Sequence, residues 1–268
     1  MEIQLWRELL DPYQLAVDEL TVKFEHIIAE HKNRGLYSPV ELVEGRVKSI
    51  DSILDKMRRK NVSLGEIEEK IEDIAGVRIT CQFVEDIDRV VELIKNRTDM
   101  EVHEEKDYVS HMKASGYRSY HMIIRYVVNT IKGPKTLYAE IQIRTMAMDF
   151  WATIEHSLQY KYKGNIPDYV QKKLIDASEA IISLDQAMSD VRDEIMDAQR
   201  TYKKKENLVK DILNSIQNLY SVANKREVAK IQDEFYKVYK MDDMNQLQHF
   251  SRQLDIIAEG FQAQSLNL

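Results

Sequence analysis

Leu137-Tyr138-Ala139-Glu140-Ile141-Gln142-Ile143-Arg144 alternates without a break. Leu137, Ala139, Ile141 and Ile143 fall on one side, and Tyr138, Glu140, Gln142 and Arg144 on the other. Successive side chains of a strand point to opposite faces, so this is a strand with one face for a core and one polar face. The division recurs upstream. Val43, Gly45 and Val47 alternate with Glu44, Arg46 and Lys48, and Gly76-Val77-Arg78-Ile79-Thr80-Cys81 sets Arg78 and Thr80 on the polar side. Solvated faces favour Thr, Lys and Glu in no particular order. Three strands that each bring an arginine to one face point instead to a binding site.

Outward from that strand, Lys132-Gly133-Pro134-Lys135 is a turn signal, and it joins back to a strand near His121–Asn129. The lead-in to that strand is Lys113-Ala114-Ser115-Gly116-Tyr117-Arg118-Ser119-Tyr120-His121. Gly116 permits a tight turn or a close approach to a ligand. Tyr117 offers a flat face on which a base can stack. Lys113, Arg118 and His121 surround it with donors suited to phosphate. Residues 106–115 read as a mobile loop, preceded by a helix over about 85–96 and a strand over about 101–105.

A helix over about 49–60 buries Ile50, Ile53, Leu54 and Met57. Lys48, Ser52, Lys56 and Arg59 fall at helical spacing on another face, and donors near a helix N-terminus suit a polyphosphate. A solvated basic face would look the same. An acidic run, Glu68 to Asp73, precedes the Arg78 strand. Asp73 and Glu140 each lie beside or within a strand that carries an arginine. Hard oxygen ligands of this kind suit Mg²⁺, which takes one or two carboxylates and completes its shell with substrate phosphates. There is no Walker A sequence, no GxGxxG and no zinc-spaced Cys/His cluster. The residues describe a metal-dependent transfer between two bound nucleotides.

The flanks read as helical. Asp11-Pro12 is a helix start, Gly35 and Pro39 a stop, and a helix follows Thr145 to about Lys161, with Gly164 and Pro167 closing the mixed region. Residues 168–259 contain neither Pro nor Gly. Val170, Leu174, Ala177, Ile181, Leu184, Met188, Val191 and Ile195 recur at steps of four and three, a coiled-coil-like seam that serves either internal packing or subunit assembly. Polar joints are expected near Lys203–Lys205, Asn224 and Asp242–Asp243. The expected organisation is an N-terminal helical segment over 1–38, a catalytic domain over 39–166 and a helical region over 167–268.

Composition bounds the rest. The chain has 268 residues, is 44% hydrophobic and 31% charged, and carries a net charge of −7, so any anion site comes from local clustering of cations. One cysteine, Cys81, excludes an internal disulfide. No apolar run approaches the roughly 18 residues of a membrane span, and the N-terminus is unlike a signal peptide. A cytoplasmic protein is expected.

Five ordered motifs carry a family resemblance: Gly45-Arg46-Val47-Lys48, Ile74-Ala75-Gly76-Val77-Arg78, Gly116-Tyr117-Arg118-Ser119-Tyr120-His121, Glu140-Ile141-Gln142-Ile143-Arg144-Thr145 and Asp149-Phe150-Trp151-Ala152-Thr153-Ile154-Glu155-His156. The chain resembles the RelA/SpoT synthetase family, in particular its small, RelQ-like alarmone synthetases, over about Val40 to Lys163. The resemblance implies an α+β fold with a nucleotidyltransferase-like mixed sheet flanked by helices, here with a long C-terminal all-helical extension. It implies transfer of the β,γ-pyrophosphate of ATP to the 3′-hydroxyl of GDP or GTP. By resemblance Arg46 and Arg78 sandwich adenine, and Lys48, Ser52, Lys56 and Arg59 clamp the ATP phosphates. Asp73 and Glu140 hold Mg²⁺, with Glu140 also orienting or deprotonating the 3′-hydroxyl. Tyr117 stacks on guanine, Lys113 and His121 contact the acceptor's phosphates and ribose, and Gln142 contacts the acceptor. Asp149 stands where some relatives have Asn, and a carboxylate there can still accept from guanine. Long family members carry a hydrolase with a His-Asp signature; no His-Asp dipeptide occurs here, so synthesis without hydrolysis is expected. The resemblance also implies a homotetramer whose central cleft admits a regulatory nucleotide or single-stranded RNA. Two rival readings are transfer to another acceptor, such as a tRNA end, and an inactive nucleotide- or RNA-binding module. The Tyr117/Asp149 pocket argues against the first, and Asp73 with Glu140 against the second.

Overall fold

The computed structural model describes residues 2–161, 166–220 and 223–265. The chain divides into two compact units, Met1–Asp190 and Val191–Leu268. The first runs α1 (Glu2–Asn33), β1 (Leu42–Val47), α2 (Ile50–Lys60), a 3-10 turn, α3 (Ile67–Lys70), β2 (Ala75–Cys81), α4 (Val84–Lys95), β3 (Glu101–Asp107), β4 (Tyr120–Thr130), β5 (Gly133–Thr145) and α5 (Met146–Lys161). It ends within a long helix, α6 (Asp168–Leu219). The stop signal at Gly164 lies outside the described residues.

The strands form one mixed sheet in the order β1-β2-β5-β4-β3. The β2–β5 pair is parallel and the other three are antiparallel. Register sets the polar face. Arg46 lies opposite Gly76, Gly76 opposite Glu140, Arg78 opposite Gln142, and Gln142 opposite His121. Pairing of the four strands therefore brings Arg46, Arg78, Glu140, Gln142 and His121 together. The alternate residues Val77, Ile79, Ala139, Ile141 and Ile143 are buried in the core.

Helix α1 packs across β1, β2, β4 and β5, burying Tyr13, Leu20 and Phe24. It does not start at Asp11-Pro12: Pro12 lies inside it. Pro removes one helical hydrogen bond, but Trp6, Leu9 and Leu10, ahead of it, also pack on the core and hold the helix through that point. The close approach of α1 requires Gly45. A Cβ there would lie 2.4 Å from Thr21 Oγ1 and 2.5 Å from Val17 Cγ1.

The second unit folds the C-terminal part of α6 with α7 (Lys225–Lys240) and α8 (Met244–Ser265) around Ile212, Ile216, Val228, Phe235, Leu247 and Leu254. Asn224 caps α7, its side chain accepting from Arg226 N, and Asp242 turns the chain with φ 55°, as the polar joints there suggest. No break occurs at Lys203–Lys205. Lysine is a good helix former, and α6 runs straight through. Among the described residues no helix is long and apolar enough to cross a membrane.

The apolar seam of α6 is divided. Ile181 packs on the core, while Leu184, Met188, Val191 and Ile195 are each about half exposed. The residues α6 buries instead include Ser178, Asp185 and Ser189.

Candidate active site

The turn from β1 into α2 assembles the cationic end of the site. Ser49 caps α2, its side chain accepting from Ser52 N. Lys48, just before the cap, and Lys56, two turns into the helix, both reach Asp73 Oδ2, at 2.6 and 2.8 Å. Burial alone would raise the Asp73 carboxyl, but hydrogen bonds from the two lysines outweigh it and hold the group below the ordinary carboxylate range. Asp73 Oδ1 is buried and has no hydrogen-bond partner. Ser52 and Arg59 lie exposed on the same helix.

Glu140 sits in the middle of the polar face with both oxygens engaged. Oε1 lies 2.9 Å from His121 Nδ1, and Oε2 accepts from Gln142 Nε2 at 2.8 Å. Here too burial raises the carboxyl, and the His121 and Gln142 contacts bring it below its usual value. The other ring nitrogen of His121 lies 2.9 Å from Tyr117 Oη. Gln142 in turn accepts from Arg144 Nη2 at 2.6 Å. Arg144 is only 3% exposed, and burial lowers the pKa of its guanidinium.

The segment before β4 is held by its own hydrogen bonds rather than left open. Asp107 Oδ1 accepts from the backbone of Val109 and Ser110, and Gly116 N donates to Lys113 O at 2.8 Å. Arg118 turns back on this loop, donating to Val109 O at 2.6 Å. Gly116 has φ +92°, and a Cβ there would lie 3.1 Å from Trp151, 3.3 Å from Ile175 Cα and 3.3 Å from Ser178 Cβ. The close approach at this glycine is therefore to α5 and α6. Ser178 Oγ also donates to Gly116 O at 2.6 Å. On the loop so fixed, the ammonium of Lys113 lies 4.7 Å from the centre of the Tyr117 ring and the guanidinium of Arg144 lies 5.7 Å from it. A base arriving at Tyr117 meets two cations.

Two clefts open on this face. One, of about 300 Å³, is lined by Arg46, Lys48, Asp73, Arg78, Glu140 and Gln142. The other, of about 360 Å³, is lined by Tyr117, Arg144, Thr153 and His156 and again by Arg46, Arg78 and Gln142. Asp149 lies 3.3 Å from Arg78 and 3.4 Å from Arg144. The donor set of the first cleft fits Mg²⁺: an unpartnered Asp73 oxygen and a second carboxylate beside cations suited to phosphate. Among the described residues no group of three or more metal-binding side chains occurs, so phosphate oxygens would have to complete the shell.

A family model described as a region found in RelA/SpoT proteins matches residues 45–165. GTP pyrophosphokinase YjbM of Bacillus subtilis is 49% identical over 205 residues, which is 76% of this chain and 97% of that protein. The chain belongs to the RelA/SpoT family. GTP pyrophosphokinase YwaC of the same organism is 40% identical over 192 residues, 71% of this chain and 91% of that one. The crystal structure of small alarmone synthetase 1 from Bacillus subtilis, bound to its product pppGpp, aligns with a TM-score of 0.70 at 50% identity, covering 72% of this chain and 98% of that one.

Within the RelA/SpoT region, several residues that the sequence reading passed over reach the site. Arg144 was visible on the polar face, one strand step beyond Gln142. Thr153 and His156 line the second cleft and fall at helical spacing from Asp149, a residue already singled out, which would have marked that face of α5. Burial raises the carboxyl of Glu155, which lines the same cleft. Tyr108, edge-on to His121 at 5.3 Å between ring centres and beneath the ammonium of Lys113, had no signal in the sequence.

Proposed function

We propose that the protein is an alarmone synthetase that moves the β,γ-pyrophosphate of ATP to the 3′-hydroxyl of GDP or GTP, giving ppGpp or pppGpp. The observation that carries this reading is the pair of clefts sharing Arg46, Arg78 and Gln142. The first suits the donor. Guanidinium planes of Arg46 and Arg78 stack on adenine without reading it closely. Lys48, Lys56, Ser52 and Arg59 take the triphosphate, with α2 contributing its positive end. The second cleft suits the acceptor, with guanine on Tyr117 and the phosphates toward Lys113. Asp149 accepts from guanine, or acts on it through Arg78 and Arg144. With both ring nitrogens engaged, His121 serves first to hold Glu140.

Each Glu140 oxygen keeps a lone pair free beside the hydrogen bond it already accepts. The carboxylate receives the 3′-hydroxyl proton as that oxygen attacks the β-phosphorus of ATP and AMP leaves. Holding two reactants in line in this way replaces a bimolecular encounter and supplies much of the rate. Mg²⁺, held by Asp73 and Glu140 with the phosphates, would neutralise charge on the transferred group. The substrates are cytoplasmic nucleotides, and the protein works there.

We also infer a homotetramer, supported by the half-exposed apolar residues Leu184, Met188, Val191 and Ile195 of α6. A cleft between its copies is where a regulatory nucleotide or single-stranded RNA would act. The activity is tested by incubating the protein with ATP, Mg²⁺ and each of GDP, GTP and deacylated tRNA. The expected products are ppGpp and pppGpp. A product only with tRNA would replace the acceptor, and no product with any of them would refute the transferase.

A further inference from the structure

We propose that Arg144 is a positioning residue that ties the acceptor's stacking platform to the carboxylate at the reacting end of the site. The proposal rests on the synthetase reading above. Five side chains close a circuit. Tyr117 Oη meets His121 Nε2 at 2.9 Å, and His121 Nδ1 meets Glu140 Oε1 at 2.9 Å. Glu140 Oε2 accepts from Gln142 at 2.8 Å, and Gln142 Oε1 accepts from Arg144 at 2.6 Å. The Arg144 guanidinium then returns to the Tyr117 ring at 5.7 Å. Both oxygens of Glu140 are thus reached from Tyr117, by two different routes.

Arg144 decides how one of those routes is built. An amide has an oxygen that accepts and a nitrogen that donates, and the two exchange places when it flips. A guanidinium only donates, so Arg144 obliges the Gln142 oxygen to face it and leaves the Gln142 nitrogen facing Glu140. The ionised Glu140, which only accepts, asks for the same orientation, so without Arg144 the amide loses its second anchor and its nitrogen is no longer held in place on the carboxylate. Arg144 is itself fixed by burial, with 3% exposure, and by Asp149 at 3.4 Å from its other nitrogen. A lysine would keep the positive charge by Tyr117 but lacks the planar fork that reaches Gln142 and Asp149 at once.

The test is steady-state kinetics with ATP and GDP on Arg144→Lys, Gln142→Met and the double variant, each checked by circular dichroism and thermal melting. Arg144→Lys should lose about 10- to 100-fold in kcat, the scale of a misplaced reacting group. Its KM for GDP and for ATP should each stay within about threefold of wild type, the mark of an interaction made in the transition state. Gln142→Met should show the same split. The double variant should be no more than about twofold worse than the worse single one, because a circuit opened once is open. Wild-type kcat in Arg144→Lys, losses that multiply in the double variant, or both KM values rising together would overturn the proposal. If Arg144→Lys does not fold, Gln142→Met decides alone, and wild-type kcat there overturns it. A wild-type protein that makes no product from ATP and GDP sinks the synthetase reading, and this proposal with it, before any variant is measured.

Discussion

A buried carboxylate resists ionisation unless donors make up for the lost water, and Asp73 and Glu140 meet that demand differently. Asp73 is held by two lysines on one oxygen, Glu140 by a histidine and an amide on separate oxygens. Both end below the ordinary carboxylate value, so both stay charged through mildly acidic conditions. In the proposed function, Tyr117 is the residue on which acceptor binding turns. Tyr117→Ala should lose base stacking of about 1–3 kcal/mol. Steady-state kinetics should show the KM for GDP or GTP rising roughly 5- to 150-fold with little change for ATP. An equal rise for both nucleotides would show that Tyr117 does not carry the guanine. At this scale the sequence was informative where period two decides which face a side chain takes. That is how Arg46, Arg78, Glu140 and Gln142 could be grouped. Who holds whom across strands was hidden: that His121 spends both nitrogens, and that Arg118 turns back on its own loop, depends on distances no alternation encodes.

Helix α6 shows what a hydrophobic pattern conceals. Its regular a/d seam left internal packing and assembly open, and between Ser178 and Ser189 the helix meets its neighbours through buried polar groups as well as through Ile181. Ser178 bonds Gly116, Ser189 donates to Glu85 at 3.0 Å, and Asp185 accepts from Thr145 Oγ1 at 2.7 Å. Small polar residues let the helix come close to the Gly116 turn, and that closeness fixes Tyr117. Burial raises the Asp185 carboxyl despite the bond from Thr145. A carboxyl whose folded pKa exceeds its unfolded one costs stability above the folded value, and the cost fades as pH falls through it toward the unfolded value. Asp185→Asn keeps an acceptor for Thr145 and removes the charge. It should therefore raise Tm at pH 7, where a gain of about 1 kcal/mol would register as roughly 2–4 °C. The gain should shrink in melts near pH 4. A gain independent of pH, or none, would mean that Asp185 is not strained by ionisation. The straight passage through Pro12 was equally hidden, because Trp6, Leu9 and Leu10 outweigh a local rule only once the sheet is there to receive them.

For the whole molecule, the half-exposed apolar residues of α6 bear on assembly, and their exposure moves the best place for a test. Ile181 packs inward, so a charge there would damage the fold; Leu184 and Met188 lie open. Light scattering should give a mass of four chains for the unmodified protein, and Leu184→Glu with Met188→Glu should lower it. A monomer at micromolar concentration would mean the stripe meets no other copy. The more direct question is what leaves when the nucleotides react. With ATP, Mg²⁺ and GDP, product analysis by ion-exchange chromatography should find AMP and ppGpp accumulating one for one, and Glu140→Gln, folded, should form neither. ADP in place of AMP, or wild-type turnover by Glu140→Gln, would contradict transfer of a pyrophosphate across the shared face of the two clefts.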